Sequence, residues 1–179
     1  LGLNLLKKLS SSKHFVYNYD TKKPLKSYKG VKTIIGDLLD YNKLLEALKD
    51  IDFIYHLAAF ADIDKAKDDP ISTMKINVLG TTHLLESARR SGVKKVFFAS
   101  SIYVSSRTGG FYRVSKHACE LLLEEFYTAY GLKYDILRFG TLYGPYSDKS
   151  NSVYNYLSDG LLNKNINAIG TGDEVREYI

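Results

Sequence analysis

Tyr112 and Lys116 stand at the two ends of Tyr112-Arg113-Val114-Ser115-Lys116. On a helix, residues i and i+4 share one face, so both side chains can address a single ligand. A tyrosine phenol titrates near pH ~10, too high for a base at neutral pH. A nearby ammonium favours the phenolate and moves that pKa toward the working range. The pair is therefore suited to taking a proton from a hydroxyl group. Ahead of it, Ala99-Ser100-Ser101 closes an apolar run, and the Ser101 hydroxyl could hydrogen-bond the oxygen that loses the proton. With 15 tyrosines in the chain the spacing alone can arise by chance, so its weight rests on what positions it.

Short runs rich in β-branched and aromatic residues read as strands: Phe15–Tyr19, Thr33–Ile35, Phe53–His56, Lys95–Ala99 and Tyr134–Arg138. Between them Asn4–Leu9, Tyr41–Leu48, Pro70–Ser91, Tyr112–Tyr130 and Val153–Asn163 carry helical period. Within Tyr112–Tyr130, Ala118, Leu122, Glu125 and Ala129 share a stripe flanked by Leu121 and Phe126, which is predicted to face a sheet. Near-continuously apolar strands separated by helices predict an α/β fold with a doubly wound parallel sheet covered on both faces. The connection from Ser101 to Tyr112 is short, and Gly109 and Gly110 permit a tight turn into the helix.

The 179 residues, 45% of them hydrophobic, can bury one core. Apolar runs such as Ile54 to Ala61 and Val96 to Ala99 are too short to span a bilayer, and no basic-then-apolar leader opens the chain. The expectation is a soluble, cytoplasmic protein without a membrane partner. A single cysteine, Cys119, excludes an internal disulfide, and no Cys/His spacing resembles a metal site. The net charge of +5 comes from lysines dispersed in pairs, Lys7-Lys8, Lys22-Lys23 and Lys94-Lys95. No basic stripe interleaves with aromatics, so nucleic acid is not an expected partner. The only methionine is Met74, and helical period begins at once in Leu1-Gly2-Leu3-Asn4-Leu5-Leu6. A parallel sheet of this kind is expected to have a strand ahead of that helix.

Five pieces, in order along the chain, resemble the NAD-dependent epimerase/dehydratase family of extended short-chain dehydrogenases. Gly2, running into Leu3-Asn4-Leu5-Leu6, is similar to the last glycine of the family's phosphate-binding turn, although a lone glycine fits an ordinary turn equally. Asp20 ends the first strand about 20 residues later, where a carboxylate accepts hydrogen bonds from adenosine ribose hydroxyls and favours NAD. A turn-forming Asp before Thr21 is the alternative, and Lys22 and Lys23 leave room for NADP. Gly36-Asp37-Leu38 resembles the segment that contacts adenine, and His56-Leu57-Ala58-Ala59 the strand end where small residues lie against the cofactor. Asn77 resembles a family asparagine with a structural and proton-relay role. The fifth piece is the Tyr112–Lys116 pentad behind Ser100-Ser101.

The resemblance implies that Ser101, Tyr112 and Lys116 are catalytic and that Lys116 also holds the nicotinamide ribose. It implies cofactor contacts from Gly2, Asp20, Asp37, Leu38, Leu57, Ala58, Ala59, Asn77, Ser100, Tyr112 and Lys116. Ile136 to Pro145 resembles the strand and turn leading to the substrate side, with Thr141 where the family often has asparagine. Arg176, in Gly170 to Ile179, matches a family arginine that pairs with the substrate diphosphate through its planar fork; a solvated turn arginine is the alternative. Substrate contacts are thus expected from Ser101, Thr141 and Arg176. Residues 1–145 are expected to form a Rossmann-like NAD-binding domain lacking its first strand and most of its glycine-rich turn. Residues 146–179 are expected to begin a small, incomplete substrate-binding region.

The implied function is an NAD-dependent nucleotide-sugar epimerase working by transient oxidation to a keto sugar, in a homodimer. A reductase or dehydrogenase of the same family and a non-catalytic NAD-binding member are the alternatives. Family members that eliminate water carry an acidic pair directly after the catalytic Ser/Thr, and decarboxylating members keep a glutamate at the second place. Here Ile102 and Tyr103 occupy those positions, so neither dehydration nor decarboxylation is expected.

Overall fold

The computed structural model describes residues 1–147, 149, 151–166, 171, 173 and 178–179. They fall into two compact units, Leu1–Arg138 and Phe139–Ile179.

In the first unit, β1 (Val16–Asp20) and β2 (Val31–Ile35) pair in parallel, from Val16 opposite Val31 to Asp20 opposite Ile35. β3 (Phe53–His56) pairs in parallel with β4 (Lys95–Ser101), Phe53 opposite Lys95 and His56 opposite Phe98. β5 (Lys133–Phe139) lies on the far side of β4. The single expected sheet therefore consists of two ladders. Among the described residues β1 and β3 do not bond to each other.

The helices are α1 (Gly2–Leu9), α2 (Tyr41–Ala47), α3 (Ile63–Asp68), α4 (Pro70–Met74), α5 (Gly80–Arg90), α6 (Gly110–Tyr130) and α7 (Ser152–Asn163). α3 was not foreseen: six residues offer too little period, and its start is marked only by Asp62, which accepts the Lys65 N–H. Asp69 then caps α4, with Pro70 in the first turn, where a missing N–H does no harm. The predicted helix Pro70–Ser91 is interrupted by a π-helical turn, Lys75–Leu79. The extra residue rotates the faces of α4 and α5 relative to one another and places Asn77 inside the protein.

The core joins Leu44 of α2, Leu84, Leu85 and Ala88 of α5, and Cys119 and Leu123 of α6 to Ile54, Val96 and Phe98 of β3 and β4. β4 alternates, with Val96, Phe98 and Ser100 turned into this layer. The opposite face is more open than expected: Phe53 and Tyr55 are 55% and 43% exposed, and Tyr55 stacks on Phe97 at 4.7 Å. The inward stripe of α6 also differs from expectation. Ser115, Lys116, Cys119, Glu120 and Leu123 are buried, whereas Leu121, Glu125 and Ala129 are exposed. A hydrophobicity pattern misreads this helix because its buried face carries the polar groups.

α6 is set by glycines at both ends. Gly109 has φ +97°, and a Cβ there would come within 3.1 Å of Tyr103 and Arg113. At the other end Gly131, φ +72°, donates to Tyr127 O at 2.7 Å and ends the helix in a left-handed cap. In the second unit, Thr141 and Tyr178 form an isolated parallel bridge, and Asn151 caps α7 by accepting the Tyr154 N–H.

Candidate active site

β4 runs two residues beyond its predicted end, so Ser100 and Ser101 both belong to the strand and are buried. Ser101 Oγ accepts the Tyr103 N–H at 3.3 Å and so caps a single 3₁₀ turn, Ile102–Ser105. That turn and the Gly109-Gly110 pair take up the short connection and bring Tyr112 back over the strand end. The Ser101 hydroxyl acts on the Tyr112 phenol, lowering its pKa.

Lys116, 3% exposed, donates from Nζ to Ala99 O at 2.8 Å. The ammonium lies 4.7 Å from the Phe98 ring centroid and 5.9 Å from that of Tyr112. Burial lowers its pKa to about 8, with the Cys119 thiol acting weakly the other way. The Tyr112 phenol is pushed above its ordinary value: burial raises it, the Ser101 hydroxyl lowers it, and neighbouring Tyr103 raises it again. The expected lowering calls on Lys116 together with the positive nicotinamide of NAD⁺; among the chain's own groups burial dominates.

Asn77 ties α6 to the segment that follows β3. Its Oδ1 accepts the Phe60 N–H at 2.6 Å, and its Nδ2 donates to Phe60 O at 3.1 Å and to Ser115 Oγ at 2.8 Å. Ser115 Oγ in turn donates to Tyr112 O at 2.8 Å. The Cys119 thiol donates to Asn77 O at 3.2 Å, and His56 Nε2 lies 2.9 Å from Thr81 Oγ1. Burial, with a smaller contribution from Lys116, lowers the His56 pKa to about 3, which keeps the ring neutral.

Several of the remaining predicted positions lie at or just after strand ends. Asp20 is exposed, and its Oδ1 accepts the Lys22 N–H at 3.0 Å. Gly36 follows β2 beneath the Tyr19 ring, which leaves no room for a Cβ, and Tyr19 donates to Asp37 O at 2.9 Å. Asp37 Oδ1 accepts the Leu39 N–H at 2.9 Å, and Leu38 is buried under Gly80. Gly2, at the start of α1, lies against Leu57. Ala58 is exposed and Ala59 half-buried just after β3. Ser100 faces inward and donates to Glu120 Oε1 at 2.5 Å. Thr141 belongs to the second unit, where its carbonyl accepts the Ile179 N–H at 3.0 Å. Arg176 lies outside the described residues.

The sequence assigns no role to Glu120, Arg138 or Ser115, and marks Tyr103 only as a position without a carboxyl group. Glu120 had a local signal, since it stands one turn beyond Lys116. Arg138 had none, because its partner is on another element.

These strand ends suit a dinucleotide. Ligands of doubly wound sheets bind outside the carboxyl ends of the strands. Here that edge offers an outward carboxylate at Asp20, small side chains at Ala58 and Ala59, and a buried Lys116 bonded to a single protein acceptor. Among the described residues no cluster of His, Cys, Asp or Glu could hold a metal ion. No helix among them is long and apolar enough to cross a membrane.

Parallel strands covered by helices define a Rossmann-like fold. The chain belongs to the NAD dependent epimerase/dehydratase family, whose model matches residues 1–179. An uncharacterized protein of Methanocaldococcus jannaschii is 32% identical over 170 residues, covering 86% of this chain and 52% of the relative. A dTDP-glucose 4,6-dehydratase of Mycobacterium tuberculosis is 25% identical over 167 residues, covering 83% and 50%. The chain thus spans about half the length of these relatives. Among solved structures, the UDP-glucose 4-epimerase of Thermotoga maritima with UDP-glucose superposes with a TM-score of 0.85 at 26% identity, covering 99% of this chain and 65% of the other.

Proposed function

We propose that the protein containing this chain is an NAD-dependent nucleotide-sugar epimerase. The observation that carries the reading is the gathering of Ser101, Tyr112 and Lys116 at the end of β4, followed by two residues, Ile102 and Tyr103, that carry no carboxyl group.

In this reading Tyr112 takes the proton from a sugar hydroxyl and later returns it, while Ser101 donates a hydrogen bond to the same oxygen. Lys116 favours the phenolate and offers its remaining N–H groups to the nicotinamide ribose. Bound NAD supplies the acceptor for the hydride that leaves the sugar carbon and gives it back to the other face. Asp20 accepts from the adenosine ribose hydroxyls. Gly2 lets the diphosphate approach the start of α1, and Asp37, Leu38, Leu57, Ala58, Ala59 and Ser100 line the remainder. Asn77 holds the catalytic helix in place. Thr141 and Arg176 contact substrate, Arg176 at the diphosphate. Residues 1–145 make up the cofactor domain, and residues 146–179 begin the substrate region. Two copies pair through the outward stripe of α6, Phe111, Val114 and Leu121, all exposed in one protomer.

Incubating the full-length protein with NAD⁺ and UDP-, GDP- and dTDP-sugars, then weighing products by mass spectrometry, tests the reading. A changed sugar of unchanged mass is expected. Loss of water or carbon dioxide overturns it, and stoichiometric NADH release identifies a dehydrogenase instead.

A further inference from the structure

Glu120 is 6% exposed, one helical turn beyond Lys116 on the same inward face of α6. Both head groups reach the end of β4 at consecutive residues: Lys116 Nζ bonds Ala99 O, and Glu120 Oε1 accepts the Ser100 hydroxyl. An acid and a base so placed on a helix ordinarily pair with each other. They do not pair here. Arg138, from β5, takes both carboxylate oxygens, Nε to Oε1 at 3.0 Å and Nη2 to Oε2 at 2.7 Å. Its Nη1 reaches Ser105 Oγ at 3.3 Å, in the 3₁₀ turn that follows Ser101. One guanidinium thus joins α6, β4, β5 and the turn that carries the chain to Tyr112.

We propose that Arg138 and Glu120 are positioning residues for the reaction. Arg138 holds the Glu120 carboxylate on Ser100, which fixes the strand end bearing Ser101 and keeps that negative charge off Lys116. The inference rests on the reading that Tyr112 is the base.

The groups facing this cluster are few. From β3 comes His56, kept neutral by burial. α6 contributes Tyr112, Cys119, whose thiol burial pushes up, and His117 beside Glu120. Tyr103 comes from the 3₁₀ turn. Without Arg138, the carboxylate would stand one helical turn from Lys116 with no guanidinium to balance its charge. A negative charge there opposes the phenolate, so Tyr112 would need a higher pH to act as base.

The test is the pH profile of kcat for sugar turnover in the full-length enzyme. Arg138→Met is expected to move the acidic limb up by about half a pH unit or more, and adding Glu120→Gln to bring it back. An unmoved limb, or a shift that persists in the double variant, overturns the proposal, because a merely structural role depresses activity at every pH alike. Should Arg138→Met not fold, Glu120→Gln alone reads the same field: its limb is expected to move down, and an unmoved or raised limb overturns the proposal. Tyr112→Phe separates the two claims. If it keeps turnover, the catalytic reading falls; if it is inactive while the limb ignores Arg138 and Glu120, only this inference falls.

Discussion

Lys116 is held where an ammonium is poorly solvated, with one carbonyl acceptor and the face of Phe98 in place of water. The folded state lowers its pKa from 10.5 to about 8, so the charged form is penalised by burial. The sign follows from linkage: below pH ~8 the full penalty applies, and it fades as pH rises toward the unfolded value. Lys116→Met should therefore stabilise the protein at pH 7 by up to about 3 kcal/mol, seen as a melting temperature several degrees higher. The gain should shrink between pH ~8 and ~10.5, and turnover should be lost. Thermal melts of both proteins at pH 7 and pH 10 check this, and a destabilised variant at pH 7 would contradict it. The same residue shows what sequence could reveal. Tyr112 and Lys116 were legible because their relation is local, four positions on one helix. Arg138 and Glu120 were not, because their bond depends on β5 lying beside β4. The upward shift of Tyr112 was missed for the same reason, since its burial is set by the turn at Ser101 and not by its neighbours in sequence.

α6 illustrates the corresponding limit for elements. Its span was readable, Tyr112–Tyr130 against the observed Gly110–Tyr130, with Gly109 and Gly110 marking its start, but its inward face was not, since that face holds Ser115, Lys116, Cys119 and Glu120. Of the side chains that the pattern assigned to the sheet, Leu122 and Phe126 pack against the core, whereas Leu121 lies outward, 52% exposed. A contiguous apolar stripe on a helix of this length is where a second copy would gain most by docking. Leu121→Glu in the full-length protein is expected to halve the mass measured by sedimentation while leaving the far-ultraviolet circular dichroism unchanged. A mass that does not change sinks the pairing proposal. The π turn was illegible for a different reason. Pro70 to Ser91 keeps helical character throughout, and the inserted residue alters only the phase between its two halves.

Across the whole molecule, β1 bonds only β2, and β3 bonds only β4 among the described residues. Each therefore has a free row of backbone N–H and C=O groups along one edge, with half-exposed Tyr17, Phe53 and Tyr55 beside it. Open parallel edges flanked by aromatic side chains are adhesive, because any extended chain can complete the ladder. Produced by itself, this stretch should refold cleanly only when dilute, losing yield to clumping as concentration rises. Light scattering during refolding at ten-fold steps of concentration measures this, and a yield independent of concentration would show the edges to be protected.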